Sequence, residues 1–262
     1  MSASDTRPAT DNLPPLREVI KKHGLNARKS LGQNFLLDPN LTDKIARTAR
    51  IENLNVIEVG PGPGGLTRAL LDNGAAHVTA IELDDRALPA LKDLQGVYPD
   101  RLSPVAADAL EFNYESFLCD TEHKTAIAAN LPYNVATPLL IRWLKLIESR
   151  PGAINSMTLM FQKEVGQRIT AQPGDPNYGR LAILSQLLCD AQIVFDVPAT
   201  AFTPPPKVLS CVVRLEPKSP ENQKSMPSLE TLERLTAKAF GQRRKMIRST
   251  LSEYRDLLND MD

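Results

Sequence analysis

Cysteine, histidine and tryptophan are scarce in this chain: three, three and one among 262 residues. Cys119, Cys189 and Cys211 lie far apart with no C-x-x-C pair, which excludes a disulfide scaffold and argues against a thiolate metal site. His23, His77 and His123 are equally scattered, so no metal is expected. No run approaches 18 apolar residues, so no transmembrane helix is expected. The polar start, residues 1–12, lacks the apolar stretch of a secretory signal, which makes a cytoplasmic setting the simplest expectation. Net charge is absent too, with 31 Lys+Arg against 31 Asp+Glu. There is no internal repeat. What remains is an ordinary globular composition, 42% hydrophobic and 24% charged, at a length that allows one or two domains.

The zero net charge is a cancellation of unlike segments. Residues 12–50 carry +5, residues 51–216 carry −6 and residues 217–262 carry +2. Basic residues cluster at Arg17, Lys21, Lys22, Arg28 and Lys29, and again at Arg243, Arg244, Lys245 and Arg248. A phosphate-binding surface needs such clusters, although solvated helix faces look the same from charge alone.

Residues 1–11 read as a disordered tail. Pro14-Pro15 opens a helix that Gly24 closes, and Asp38-Pro39 opens a second. Short apolar runs at 56–59, 78–81, 102–106 and 125–129 then alternate with helical stretches near 65–73, 84–94 and 113–119. A helix at 135–148, a strand at 154–161, helices near 162–171 and 179–189, and strands at 191–197 and 208–215 follow. Apolar strands alternating with helices predict an α/β fold, a doubly wound and mostly parallel Rossmann-like sheet. Residues 217–228, with Pro217, Pro220 and Pro227, read as a linker. Residues 229–259 are helical by their Leu232, Leu235 and Ala239 spacing. The division expected is a tail (1–11), a sheet domain (12–217) and a small helical domain (218–262).

The strand at 56–59 runs into Gly60-Pro61-Gly62-Pro63-Gly64-Gly65 before a helix. Glycines permit the tight turn and the close approach of a ligand to the main chain. Glu82 ends the next strand, 22 residues after Gly60, where a carboxylate can accept both hydroxyls of a ribose. Asp108 ends the third strand and can accept from an adenine amino group. Together they indicate an adenosine-containing ligand. The prolines remove loop amides from any pyrophosphate cradle, and no second mononucleotide half follows. Both features favour S-adenosylmethionine over a dinucleotide.

The strand at 125–129 delivers Asn130-Leu131-Pro132-Tyr133 to the carboxyl edge of the sheet, where ligands bind in open α/β folds. Methylating an aromatic amine requires that its delocalised lone pair be turned toward the methyl donor. The Asn130 side-chain oxygen and the Leu131 carbonyl can hold the two N–H groups of such an amine. Pro132 stiffens the turn, and Tyr133 offers a flat face worth roughly 1–3 kcal/mol in stacking on a base. Phe202, ahead of Pro204-Pro205-Pro206, can close the other face, or can simply cap the core. A target base within folded nucleic acid would have to leave its stack.

These residues resemble the ribosomal RNA adenine N6-dimethyltransferase family, and the small-subunit (16S) branch most of all. The resemblance covers about residues 14–252. It is carried by Arg28 through Leu36, Glu58-Val59-Gly60-Pro61-Gly62, Asn130-Leu131-Pro132-Tyr133-Asn134, Phe202 through Val208, and Phe240-Gly241-Gln242-Arg243-Arg244-Lys245. It implies that Gln33, Asn34 and Leu36 close over the methionine end of S-adenosylmethionine. It further implies that Gly60 and Gly62 line the cofactor, Glu82 holds its ribose and Asp108 its adenine, and Asn130 faces cofactor and target amine. Arg243, Arg244, Lys245 and Arg248 would contact RNA backbone. The implied reaction is dimethylation of two adjacent adenines near the 3′ end of 16S rRNA, by a monomer acting on an immature small subunit. The chain departs from the family pattern at Leu209 and Cys211, where Asp and Ala are usual. Family members commonly continue for another helical segment, so the resemblance implies a shortened helical domain here. Alternatives are a large-subunit rRNA or DNA adenine methyltransferase, or a non-catalytic ribosome-assembly factor. DNA enzymes often have Pro where this chain has Leu131.

Overall fold

The computed structural model describes residues 13–28, 31–118, 124–223, 227–241, 245, 246 and 251. In chain order the elements are α1 (Leu16–Lys22), β1 (Phe35–Leu36), α2 (Pro39–Ala49), β2 (Asn55–Val59), α3 (Gly65–Asp72), β3 (His77–Glu82), α4 (Leu88–Val97), β4 (Leu102–Ala106), β5 (Thr125–Asn130), α5 (Tyr133–Ser149), β6 (Ile154–Gln162), α6 (Lys163–Thr170), α7 (Arg180–Leu188), β7 (Cys189–Val197), β8 (Phe202–Thr203), β9 (Ser210–Pro217), α8 (Pro220–Gln223) and α9 (Leu229–Gly241).

Seven strands form one sheet in the order β4-β3-β2-β5-β6-β9-β7. The first five run parallel, and β9 lies antiparallel to both β6 and β7. The central strands are buried on both faces, which is why they read as unbroken apolar runs. Side chains alternate along β2. Ile57 and Val59 join a core with Leu139, Leu140 and Trp143 of α5 and Leu184 of α7. Val56 joins the opposite core with Ile45 of α2, Leu70 of α3 and Leu94 of α4. The doubly wound architecture is therefore as expected. The strand order reverses beside β2, and the adjoining carboxyl ends of β2, β3 and β5 leave the crevice in which such folds bind ligands.

Several boundaries differ from the sequence reading. The stretch near 113–119 is a single 3₁₀ turn at Tyr114–Phe117, because Asn113 caps it through its side chain onto the Glu115 amide (3.2 Å). The helix expected from residue 84 starts at Leu88, since Asp84 turns the chain by accepting the Ala87 and Arg86 amides. The 217–228 linker contains the short α8. Helix α9 is described only to Gly241, so the rest of the expected 229–259 helix, like the 1–11 tail, lies outside the described residues. The sequence reading also missed a two-stranded ribbon, in which Leu36 of β1 pairs with Phe202 of β8.

Candidate active site

A cavity of about 250 Å³ opens at the carboxyl edge of the sheet. Its wall includes Gln33, Asn34, Leu36, Gly60, Gly62, Glu82, Asp108, Asn130, Leu131, Pro132, Tyr133 and Phe202. Every cofactor and catalytic position named from sequence is thus brought to one place. Of the four basic positions, Lys245 is exposed; Arg243, Arg244 and Arg248 lie outside the described residues.

The glycine loop explains its own composition. Gly60, Gly62 and Gly64 all have positive φ, at 70°, 53° and 85°, alternating with prolines that hold φ near −65°. Only four of its six residues have an amide hydrogen, and three of these are used internally. Gly60 donates to the Ile81 carbonyl (3.0 Å), Gly64 to the Pro61 carbonyl (3.0 Å) and Gly62 to Oε2 of Glu82 (2.9 Å). A pyrophosphate cradle needs free amides, and this loop has spent three of its four. The acidic residues of the cavity wall make the same point: they are Glu58, Glu82 and Asp108, with no Lys, Arg or His beside them among the described residues. Such a lining repels phosphates and suits a ligand carrying positive charge.

Glu82 is 6% exposed. Its Oε1 accepts the Asp84 amide at 2.8 Å and its Oε2 the Gly62 amide, which points the carboxylate across the pocket with lone pairs to spare. Burial pushes its pKa up, and these amide bonds oppose the rise. Asp108 lies two residues beyond β4, not at its end, because its Oδ1 folds the chain into a turn by accepting the Leu110 amide (2.8 Å).

Asn130 ends β5 with its amide oriented by chemistry. Its Nδ2 donates to the Asn34 carbonyl at 3.2 Å. A carbonyl can only accept, so the NH₂ end faces Asn34 and Oδ1 faces away. Among the described residues, neither that oxygen nor the Leu131 carbonyl receives a hydrogen bond. The turn therefore holds two spare acceptors on a rigid corner, with Leu131 itself 3% exposed. Tyr133 opens α5, and its hydroxyl bonds Ser210 Oγ on β9 at 2.7 Å, which fixes the ring plane. Phe202 is 3% exposed and belongs to the core packed around α2 and α3 while also lining the cavity.

Asp84, Arg86 and Glu58 contribute without having carried a role from sequence. Gln33 donates to Asp84 Oδ2 (2.9 Å) and accepts the Arg28 amide (3.0 Å), while Arg86 clamps Asp84. That clamp holds the Asp84 carboxyl down at about 2 and pins the segment that carries Asn34. Glu58, quoted only as part of a motif, is 1% exposed in the cavity wall. An acid inside a Val/Ile strand was the visible signal.

The family profile of the ribosomal RNA adenine dimethylases matches residues 24–257. The chain belongs to the ribosomal RNA adenine dimethylase family. It is accordingly an rRNA adenine dimethyltransferase, a member of a family that dimethylates adenines in rRNA. The protein named ribosomal RNA small subunit methyltransferase A in Mesorhizobium japonicum is 54% identical over 246 residues, covering 92% of this chain and 86% of the relative. The protein of that name in Sinorhizobium medicae is 56% identical over 245 residues, covering 93% and 86%. Among solved structures, a dimethyladenosine transferase from Plasmodium falciparum superposes with a TM-score of 0.68 at 32% identity, over 82% of this chain and 73% of that one. The 23S rRNA methyltransferase ErmE gives 0.64 at 29%, over 84% of each. This dimethylase has no described helix long and apolar enough to cross a membrane.

Proposed function

We propose that this chain transfers methyl groups from S-adenosylmethionine to the N6 amines of two adjacent adenines near the 3′ end of small-subunit rRNA, acting as a monomer on an immature subunit in the cytoplasm. The observation that carries the proposal is the Asn130–Leu131 corner, with two spare acceptors beside a cavity lined by Glu58, Glu82 and Asp108. When bound, S-adenosylmethionine supplies an electrophilic methyl group on a sulfonium.

The residues present fit that cofactor. Glu82 receives the ribose hydroxyls, Asp108 the adenine amine, and Gly60 and Gly62 allow close approach of the chain. The Gln33–Asp84–Arg86 clamp holds Gln33, Asn34 and Leu36 over the methionine end. Asn130 Oδ1 and the Leu131 carbonyl accept the two N–H groups of the target amine. That geometry turns the nitrogen lone pair out of conjugation and toward the methyl donor. No strong base is needed, because the alkylated amine becomes acidic. Tyr133 and Phe202 hold the base between two rings. Acceleration comes mostly from positioning, which can supply several kcal/mol of a barrier.

The small-subunit substrate is favoured by the two relatives of that name, at 54% and 56% identity against 29% for the 23S enzyme. We assign phosphate contact to Arg243, Arg244, Lys245 and Arg248, with RNA shape giving specificity. The test is mass spectrometry of adenines after incubation with labelled S-adenosylmethionine and immature small subunits, 23S rRNA or duplex DNA in parallel. Dimethyladenosine confined to the small-subunit sample is expected. Label in duplex DNA, or in none of the three, would overturn the assignment.

A further inference from the structure

Glu58 is a buried acid that the reaction above does not use. It is the penultimate residue of the central strand β2, followed by Val59 and the glycine loop, and it lines the cofactor cavity while being 1% exposed. Its Oε2 finds no hydrogen-bond partner among the described residues. The flanking strands place Ala80 and Ala128 at its sides, and α3 sets the buried Thr67 near it. Glu82, from the end of β3, is the charged group whose field reaches it, and that charge is negative. Among the described residues, no Lys, Arg or His shares the cavity wall to compensate it. A buried carboxylate with an orphaned oxygen and no cation beside it is costly to charge, by several kcal/mol. A buried polar atom without a partner calls for an explanation.

The cofactor offers one. At neutral pH S-adenosylmethionine carries a sulfonium, an ammonium and a carboxylate, a net charge of +1. Its product, S-adenosylhomocysteine, has lost the sulfonium charge and is neutral overall. We infer that Glu58 is a proton-linked charge sensor for the cofactor: neutral in the cofactor-free enzyme, it releases its proton to solvent when S-adenosylmethionine enters, and regains one when methyl transfer has removed the sulfonium charge. The consequence is discrimination. The enzyme holds the charged substrate form more tightly than the spent form, by a margin set by Glu58 ionisation. Burial, with help from the Glu82 charge and against the Thr67 hydroxyl, raises the Glu58 carboxyl to about 8. That leaves it mostly protonated at pH 7, where the exchange would be largest.

The inference rests on the cofactor reading, and one experiment separates the two. Calorimetric titration of the whole chain with S-adenosylmethionine is carried out at pH 7 in buffers of low and high ionisation enthalpy. The expected difference corresponds to release of about one proton. Titration with S-adenosylhomocysteine should release far less. Between pH 6 and pH 8 the affinity ratio of the two ligands should rise by about tenfold or more. Glu58→Gln should abolish the release and flatten the ratio. Release that persists in Glu58→Gln would place the proton elsewhere, with Glu82 the first candidate, and would overturn the inference. So would binding with no buffer dependence in the unmodified chain. Absence of any binding would instead overturn the cofactor assignment. Should Glu58→Gln fail to fold, infrared difference spectra of the unmodified chain decide the matter. A protonated-carboxyl band lost with S-adenosylmethionine but kept with S-adenosylhomocysteine supports the sensor, and a band unchanged by both refutes it.

Discussion

The two halves of the cavity are built differently. The nucleoside part of the cofactor half comes from the ends of three adjacent parallel strands, β2, β3 and β4, where Gly62 bonds Glu82 across 20 residues, and a longer tie from Gln33 to Asp84 across 51 residues adds the methionine end. The base half is gathered from distant segments, with Asn130 bonded to Asn34 across 96 residues and Tyr133 to Ser210 across 77. Local strand–turn–helix geometry suffices to make a nucleoside pocket. Placing a base against it requires the whole sheet to have formed. The two halves should therefore fail separately when altered, and the sharpest separation is at Asn130.

Asn130→Ala removes one of the two acceptors that orient the amine and leaves the cofactor groups in place. Methyl transfer should fall by about 10²–10³-fold or more, the usual cost of losing a preorganised transition-state hydrogen bond. Calorimetry should find S-adenosylmethionine affinity within a few-fold of normal. A normal rate in this variant would show that the amine is held elsewhere. Asn34→Ala is the informative companion, because Asn130 is held by the Asn34 carbonyl, which the substitution retains.

Glu82→Ala makes the opposite cut. It removes the ribose acceptor and frees the Gly62 and Asp84 amides together. Hydrogen bonds to a charged group contribute ~1.5–3 kcal/mol, so cofactor affinity should weaken by roughly 10–100-fold. The rate at saturating cofactor should suffer far less. Unchanged affinity would exclude the ribose role.

The cofactor half was the more legible one because its signal is local. A glycine loop, an acid 22 residues on and a further acid after the third strand are all consequences of consecutive βα units, so spacing alone places them together. The doubly wound, mostly parallel sheet followed from the same alternation, though not its strand order. The ribbon of Leu36 with Phe202 was not legible, because two-residue strands have no periodicity to detect. The turn at Asp84 was missed because a helix pattern runs through it, and only its side-chain bonds show that the chain bends first. For Ser210 and Glu58 the reason is different. A buried serine or glutamate in a strand is visible in sequence, but its partner, or its lack of one, exists only in three dimensions.

Glu58 allows the comparison to be sharpened without substrate. Its carboxyl titrates near 8 when folded and near 4.5 when unfolded, so between those values the folded state holds the extra proton. Stability conferred by the neutral acid is thus full below about pH 4.5 and declines as pH rises through 8. Glu58→Gln removes that decline. At pH 8 the cofactor-free variant should be more stable than the parent chain by roughly 2–4 kcal/mol, read as a higher denaturant midpoint, with the gap closing toward pH 5. A gap independent of pH would mean that packing, not ionisation, separates the two proteins.

The smallest effect is expected where the base half is merely steadied. The Tyr133 hydroxyl does no chemistry here; it tethers the ring to Ser210, and burial, opposed by that bond, raises its pKa so that it stays protonated. Tyr133→Phe and Ser210→Ala each break the same bond, whose net worth is about 0.5–1.5 kcal/mol. Each should raise KM for the RNA substrate by no more than about tenfold, with cofactor affinity untouched. The double variant should be no worse than either single one, since only one interaction is there to lose. If the two losses add instead, Ser210 has a partner in the base half other than Tyr133, and the ring is held by packing against Phe202 and its surroundings alone.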